Sequence, residues 1–175
     1  MVRLSHLPAG PGAAGGTPGV ELVNLGLGLA SERRTLFVPQ YRGFVYDGLA
    51  TFSETAARAY LSAETLYGFD ARLLSIQSHV CQTEPLDSFG MAPSFIKIDV
   101  EGCEHEVLEG GIDTLRRHEP VLMIERFYEN EAVLRILAAL GYQEVVERGG
   151  RFAPGEAAGL NMFWMTPRRL EQARG

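Results

Sequence analysis

Cysteine is scarce. Cys81 and Cys103 are the only two, with no Cys-x-x-Cys pair and no histidine beside them at ligand spacing. That argues against a disulfide framework or a structural zinc site, and no metal ligand set is expected. Long apolar runs are missing too. Nothing approaches the ~20 apolar residues of a membrane-spanning helix, and the opening MVRLSHLP has no signal-peptide core. The expectation is a cytoplasmic protein with no membrane partner. Basic charge is outweighed: 16 Lys and Arg against 22 Asp and Glu leave a net charge of −6. Such a balance disfavours nucleic acid or anionic lipid as a partner.

What is present suits a single folded unit. The chain has 175 residues, 46% of them hydrophobic, enough for one domain with a sizeable core. Residues 1–19 include the tract PAGPGAAGGTPG and are expected to form a flexible leader. Order is expected over residues 20–167, with 168–175 as a tail. GVELVNLGLG suggests a buried strand over Val20–Leu25, and RTLFVP a short extended piece ended by Pro39. YRGFVYDG reads as loop. Thr51 and Glu54 have capping-box spacing ahead of an alanine-rich helical stretch.

Further strands are expected at Leu73–Val80, Phe95–Val100, Pro120–Glu125 and in YQEVVE and NMFWMTP. Helices are expected over Cys103–Arg117, broken at Gly110-Gly111, and over Glu129–Leu140, stopped by Gly141. The alternation predicts an α/β domain with a mostly parallel sheet. Ligands bind such sheets beyond the carboxyl ends of the strands. Asp99, Glu101 and Glu125 fall at those ends, so they are read as the rim of a cleft. Lys97 shares a strand face with Asp99, where it either pairs with an acid or reaches solvent. Glu104 and Glu106, on either side of His105, read as a solvated acidic face.

The segments LDSF (Leu86–Phe89), FIKIDVEGCEHEVLEGG (Phe95–Gly111), PVLMIE (Pro120–Glu125) and LAALGY (Leu137–Tyr142) occur in an order and spacing that resemble the FkbM family of methyltransferases. GVELVNLGLG is similar to that family's third strand and NMFWMTP to its closing one. The resemblance implies a class I, Rossmann-like fold that uses S-adenosylmethionine (SAM) to methylate a hydroxyl, the acceptor being a small molecule or a sugar. The chain departs from the family upstream of Val20. No acidic glycine loop and no second strand ending in a ribose-binding acid are found there, so the first two strands of the sheet are read as absent. An inactive fragment, or an α/β binding module that needs a partner, is the alternative function.

Gly26-x-Gly28 could itself be read as the cofactor loop, but Asn24 stands where the family has an acid and the following ERRTLFVP looks extended. The third-strand reading is preferred, and it sets Leu27 near the adenine ring. The resemblance further implies that Leu27, Asp99 and Gly102 contact the cofactor and that Asp99, Glu101 and Glu125 serve catalysis. Purely structural roles compete. Asp99 could cap the next helix, Glu101 could favour that helix's N-terminus, and Gly102 could permit a tight turn. Asp87 reads as a turn-fixing residue. Any two carboxylates that converge would raise at least one pKa.

Overall fold

The computed structural model describes residues 3–4, 19–125, 131–156 and 159–173. The chain opens with β1 (Arg3–Leu4), paired antiparallel with β2 (Glu21–Leu22), then β3 (Gly26–Leu27), β4 (Glu32–Tyr41) and β5 (Phe44–Val45). Helix α1 (Glu54–Ala59) and β6 (Leu74–Glu84) follow. Next come β7 (Phe95–Ile98), α2 (Glu104–Glu109), α3 (Ile112–His118), β8 (Val121–Glu125) and α4 (Glu131–Ala139). The chain continues with β9 (Gln143–Arg148), β10 (Arg151–Pro154), β11 (Asn161–Met165) and α5 (Pro167–Gln172).

Two larger sheets result, and neither is mostly parallel. One has the order β10-β9-β11-β8-β7, the other β3-β6-β4-β5. Among the described residues of these two sheets, only β7 with β8 and β3 with β6 pair in parallel. The expectation of a mostly parallel sheet is corrected by two features. Tight turns fold strands back: Arg42-Gly43 and Gly149-Gly150 each supply the two consecutive positive φ angles that two-residue hairpins need. In addition, β11 inserts in reverse between β8 and β9. Strands β7, β8 and β9 therefore still run in one direction, although only one adjacent pair among them is parallel.

Several sequence expectations shift in detail. Val20–Leu25 is no continuous buried strand: within it Glu21–Leu22 alone is strand, as β2, and Leu22 is exposed. Pro39 sits inside β4 rather than ending it, opposite Ile76. Its carbonyl accepts from the Tyr46 N–H, so its backbone faces away from β6 and the missing N–H costs no rung there. YRGFVYDG contains the β4–β5 hairpin. Ser53, not Thr51, caps α1, its side chain accepting from the Ala56 N–H. The Gly110-Gly111 break between α2 and α3 is as expected. The forecast helix 129–140 is described from Glu131, residues 129 and 130 lying outside the described residues. At the C-terminus α5 buries Leu170 against Val145 and Met165, so residues 167–172 pack into the fold.

The core lies on one face of the β7–β8 region, where Ile96, Ile98, Leu122 and Ile124 meet Val107, Leu108, Leu115, Val133 and Leu137 from the helices. Each such buried aliphatic contributes on the order of 1.5–3 kcal/mol. No described helix is long and apolar enough to cross a membrane. The two sheets approach each other where Gly28, just after β3, meets Gly110. A Cβ at position 110 would lie 2.2 Å from the Gly28 carbonyl oxygen. Gly110→Ala is expected to lower stability by about 1–3 kcal/mol or more in urea unfolding, since backbone must move to admit the methyl. Gly48→Ala, built into open space, should change it little.

Candidate functional site

Strand β7 carries alternate residues to opposite faces: Ile96 and Ile98 go to the core, Phe95 and Lys97 to the exposed side. Beyond its end the chain turns at Glu101 and Gly102, with φ of 49° and 97°. Glycine adopts the second angle freely, whereas Glu101 is held in a left-handed conformation that costs a non-glycine residue roughly 1–2 kcal/mol. The turn is tied from both sides. The Gly102 N–H donates to Glu104 Oε1 at 3.1 Å, and the Thr51 hydroxyl donates to the Glu101 carbonyl at 3.2 Å.

This turn delivers three carboxylates to one place. Asp99, Glu101 and the β8 terminal residue Glu125 each bring an oxygen within 4.8 Å of the others. Oxygens at that spacing suit a hard divalent cation, but here the counter-charge is Lys97, whose Nζ lies 2.6 Å from Asp99 Oδ2. Lys97 thus pairs with an acid, one of its two expected roles. The pair decides which group holds the proton. Hydrogen bonds from Lys97 and then from Glu125 keep Asp99 below its ordinary carboxylate range. Glu125 is pushed up to about 7, first by its hydrogen bond to Asp99, then by burial and the charges of Asp99 and Glu101. Burial and the Asp99 charge also raise Glu101. Tyr60, which hydrogen-bonds Glu101, is itself pushed up to about 12, chiefly by burial.

Beside these acids lies a cavity of about 480 Å³, within the ~300–1,000 Å³ of small-molecule sites. Leu27 and Leu36 from the second sheet form part of one wall. Thr51 and Phe52 form another, and Asp99, Val100 and Glu101 close it. Leu27, Asp99 and Glu101 therefore meet at one cavity, with Glu125 at its edge rather than in its lining. Gly102 is not in the lining and acts through the turn. Phe52 carries the Arg34 guanidinium 4.1 Å over its ring, and Arg34 is ion-paired to Glu106.

The acidic face expected around His105 is therefore not solvated. Glu106 meets Arg34, and Glu104 is only 1% exposed, because the turn at Gly102 folds over it. Asp87 accepts from the Asp113 and Thr114 N–H groups at 3.1 and 2.8 Å and so fixes the start of α3. Thr51, Phe52 and Tyr60 carried no signal in the sequence as site residues. Thr51 and Phe52 line the cavity from the segment between β5 and α1, and Tyr60, at the end of α1, acts through Glu101, across distances in sequence that no local pattern spans.

An α/β protein with an acid-edged cavity at its strand ends is the class that fold and site define. Residues 17–144 match the family model of the methyltransferase FkbM domain, and the chain belongs to that family. No curated protein matches. Among solved structures the chain is similar to a methyltransferase FkbM from Methylobacillus flagellatus KT, at 24% identity and a TM-score of 0.37. That match covers 49% of this chain and 23% of the other.

The raised Glu125 carboxyl has a stability consequence. With a folded value of about 7 and an ordinary value of 4.5, the native state binds more protons than the unfolded chain between those limits. Its contribution is complete below about 4.5 and is lost as pH rises through about 7. Chemical denaturation of the protein and of Glu125→Gln across pH 4–8 should show the parent losing stability over this window and the variant losing less. Parallel curves would overturn the assignment.

Proposed function

We propose that the chain is a SAM-dependent methyltransferase acting on a hydroxyl of a small molecule or sugar, with the strand-end cavity as its site. The observation that carries this reading is one cavity, in a chain of the FkbM family, edged by Leu27, Asp99 and Glu101 with Glu125 poised near neutral pH. The residues present fit the cofactor in volume and charge: apolar walls for the adenine, carboxylates for the sulfonium. SAM, when bound, supplies an electrophilic methyl that passes to the acceptor oxygen and leaves a neutral thioether.

The protein's own contribution is placement and proton handling. Asp99, fixed by Lys97, stays ionised and presents negative charge to the cavity. Glu125 and Glu101, both raised, are the groups able to accept the acceptor's hydroxyl proton near neutral pH, and Glu125 shares its proton with Asp99. A positioned base of matched pKa is worth typically ~10²–10⁴-fold. Holding acceptor and methyl in line can supply ~7–11 kcal/mol more.

A second reading has an observation of its own. Ser94 and its alternates hydrogen-bond to β8, as the Val121 N–H to Ser94 carbonyl bond shows. The backbone groups of Phe95 and Lys97 therefore face outward from β7, with no strand beside them among the described residues. A chain that completes its site only with another polypeptide along this edge would bind no cofactor alone.

Isothermal titration with SAM separates the two readings. Saturable binding that weakens at least tenfold in Asp99→Asn is the expected result. Absence of heat at millimolar cofactor would sink the claim that this chain works by itself. With an acceptor in hand, Glu125→Gln should lower kcat by ~10²–10⁴-fold and flatten the rise of rate with pH near 7.

A further inference from the structure

We infer that Thr51 is the positioning residue of the site: its hydroxyl holds the left-handed turn that aims Glu101 at the cavity. The inference rests on the methyltransferase reading for what Glu101 faces, though not for the geometry.

Thr51 is 3% exposed and lines the cavity. Its backbone is pinned to β4 by two hydrogen bonds with Phe37, the Phe37 N–H to its carbonyl at 2.8 Å and its own N–H to the Phe37 carbonyl at 3.0 Å. Its hydroxyl has a single proton, which goes to the Glu101 carbonyl at 3.2 Å, while the oxygen accepts from the Ser53 N–H at 3.3 Å. One side chain thus joins the second sheet, the start of α1 and the turn after β7. Thr51 stands three residues before Glu54, yet capping falls to Ser53, which leaves the Thr51 hydroxyl free for the turn.

The conformation it holds does not hold itself. Glu101 has a φ of 49° and side chains rarely adopt that region without outside support. The Gly102 N–H to Glu104 bond supports the turn from below; Thr51 supports it from the cavity side. If the turn relaxes, the Glu101 carboxylate moves relative to Asp99 and Glu125, and misplacement of about 1 Å in a reacting array can cost ~10²-fold.

Thr51→Val keeps the shape and removes the donor, while Thr51→Ser keeps the donor. Two readouts apply to the intact chain. The first is hydrogen exchange at the Gly102 amide. It should quicken roughly fivefold to tenfold in Thr51→Val, matching the loss of one net hydrogen bond, and return to the parent rate in Thr51→Ser. Unchanged exchange in Thr51→Val overturns the inference. The second is the affinity ratio for SAM over S-adenosylhomocysteine. A displaced carboxylate weakens the cationic sulfonium more than the neutral thioether, so the ratio should fall several-fold in Thr51→Val and recover in Thr51→Ser. Equal weakening of both would mean general damage to the cavity and would also overturn it. If the parent protein binds neither ligand, the reading that this chain works by itself fails and the exchange measurement alone decides the role of Thr51.

Discussion

The site depends on how closely two sheets can meet. At Gly110 the α2–α3 break lies so near the Gly28 carbonyl that a Cβ has no room. Gly111 tightens the same corner, where an added Cβ would lie 2.8 Å from Leu86 Cδ2. The segment just before Gly28 is thereby brought down onto the core that holds Ile96 and Ile98, and Leu27 becomes part of both that core and the cavity wall. Ion pairing between Arg34 and Glu106 adds a polar tie between the same two parts, and the Asp87 hydrogen bonds fix the start of α3 beside it. The tie through Thr51 works at the opposite side of the cavity. Close backbone packing sets the distance between the sheets, and the polar contacts set their orientation.

Within the cavity, one strong contact breaks the symmetry of three like charges. Without Lys97, three carboxylates within 4.8 Å would share their repulsion with nothing to choose between them. An ammonium 2.6 Å from Asp99 favours ionisation there, and the burden falls on Glu125 and Glu101. Lys97 is exposed, so solvent screens the pair and its contribution to stability is modest. Its effect on which neighbour is protonated does not require large energies: a shift of one pKa unit is only about 1.4 kcal/mol. Weak electrostatics thus suffices for proton placement where it would not suffice to hold the fold.

Residues whose roles follow from their own strand were legible. Strand period put Lys97 on one face with Asp99, and strand-end position put Asp99, Glu101 and Glu125 on the rim of a cleft, whereas their convergence within 4.8 Å came only with the structure. Gly110-Gly111 announced a helix break, although the reason, close approach of a distant backbone, was not readable from the doublet. Roles set by pairing between remote segments were not legible. Pro39 is tolerated only because its nitrogen faces away from β6, which depends on register. Glu104 looks like a solvated acid until the turn at Gly102 covers it. Thr51 has the spacing of a cap and does something else, because Ser53 is better placed for the helix. Local pattern supplies the candidates, and tertiary contact decides among them.

The charges in β7 also bear on its outer edge. An exposed edge presents backbone groups that invite another strand, and alternating charge along it is a common defence. Phe95 is 50% exposed beside that edge, an apolar invitation, while Lys97 and Asp99 occupy the next positions on the same face. If the edge only needed protection, either charge alone would serve, and lysine would be the more effective. Lys97 and Asp99 are instead paired to each other, which lowers their value as a barrier and raises it as a fixed anionic corner. The pair is better explained by the cavity than by the edge. A strand added alongside β7 would have to leave the Lys97–Asp99 contact intact for the proton arrangement at Glu125 to survive.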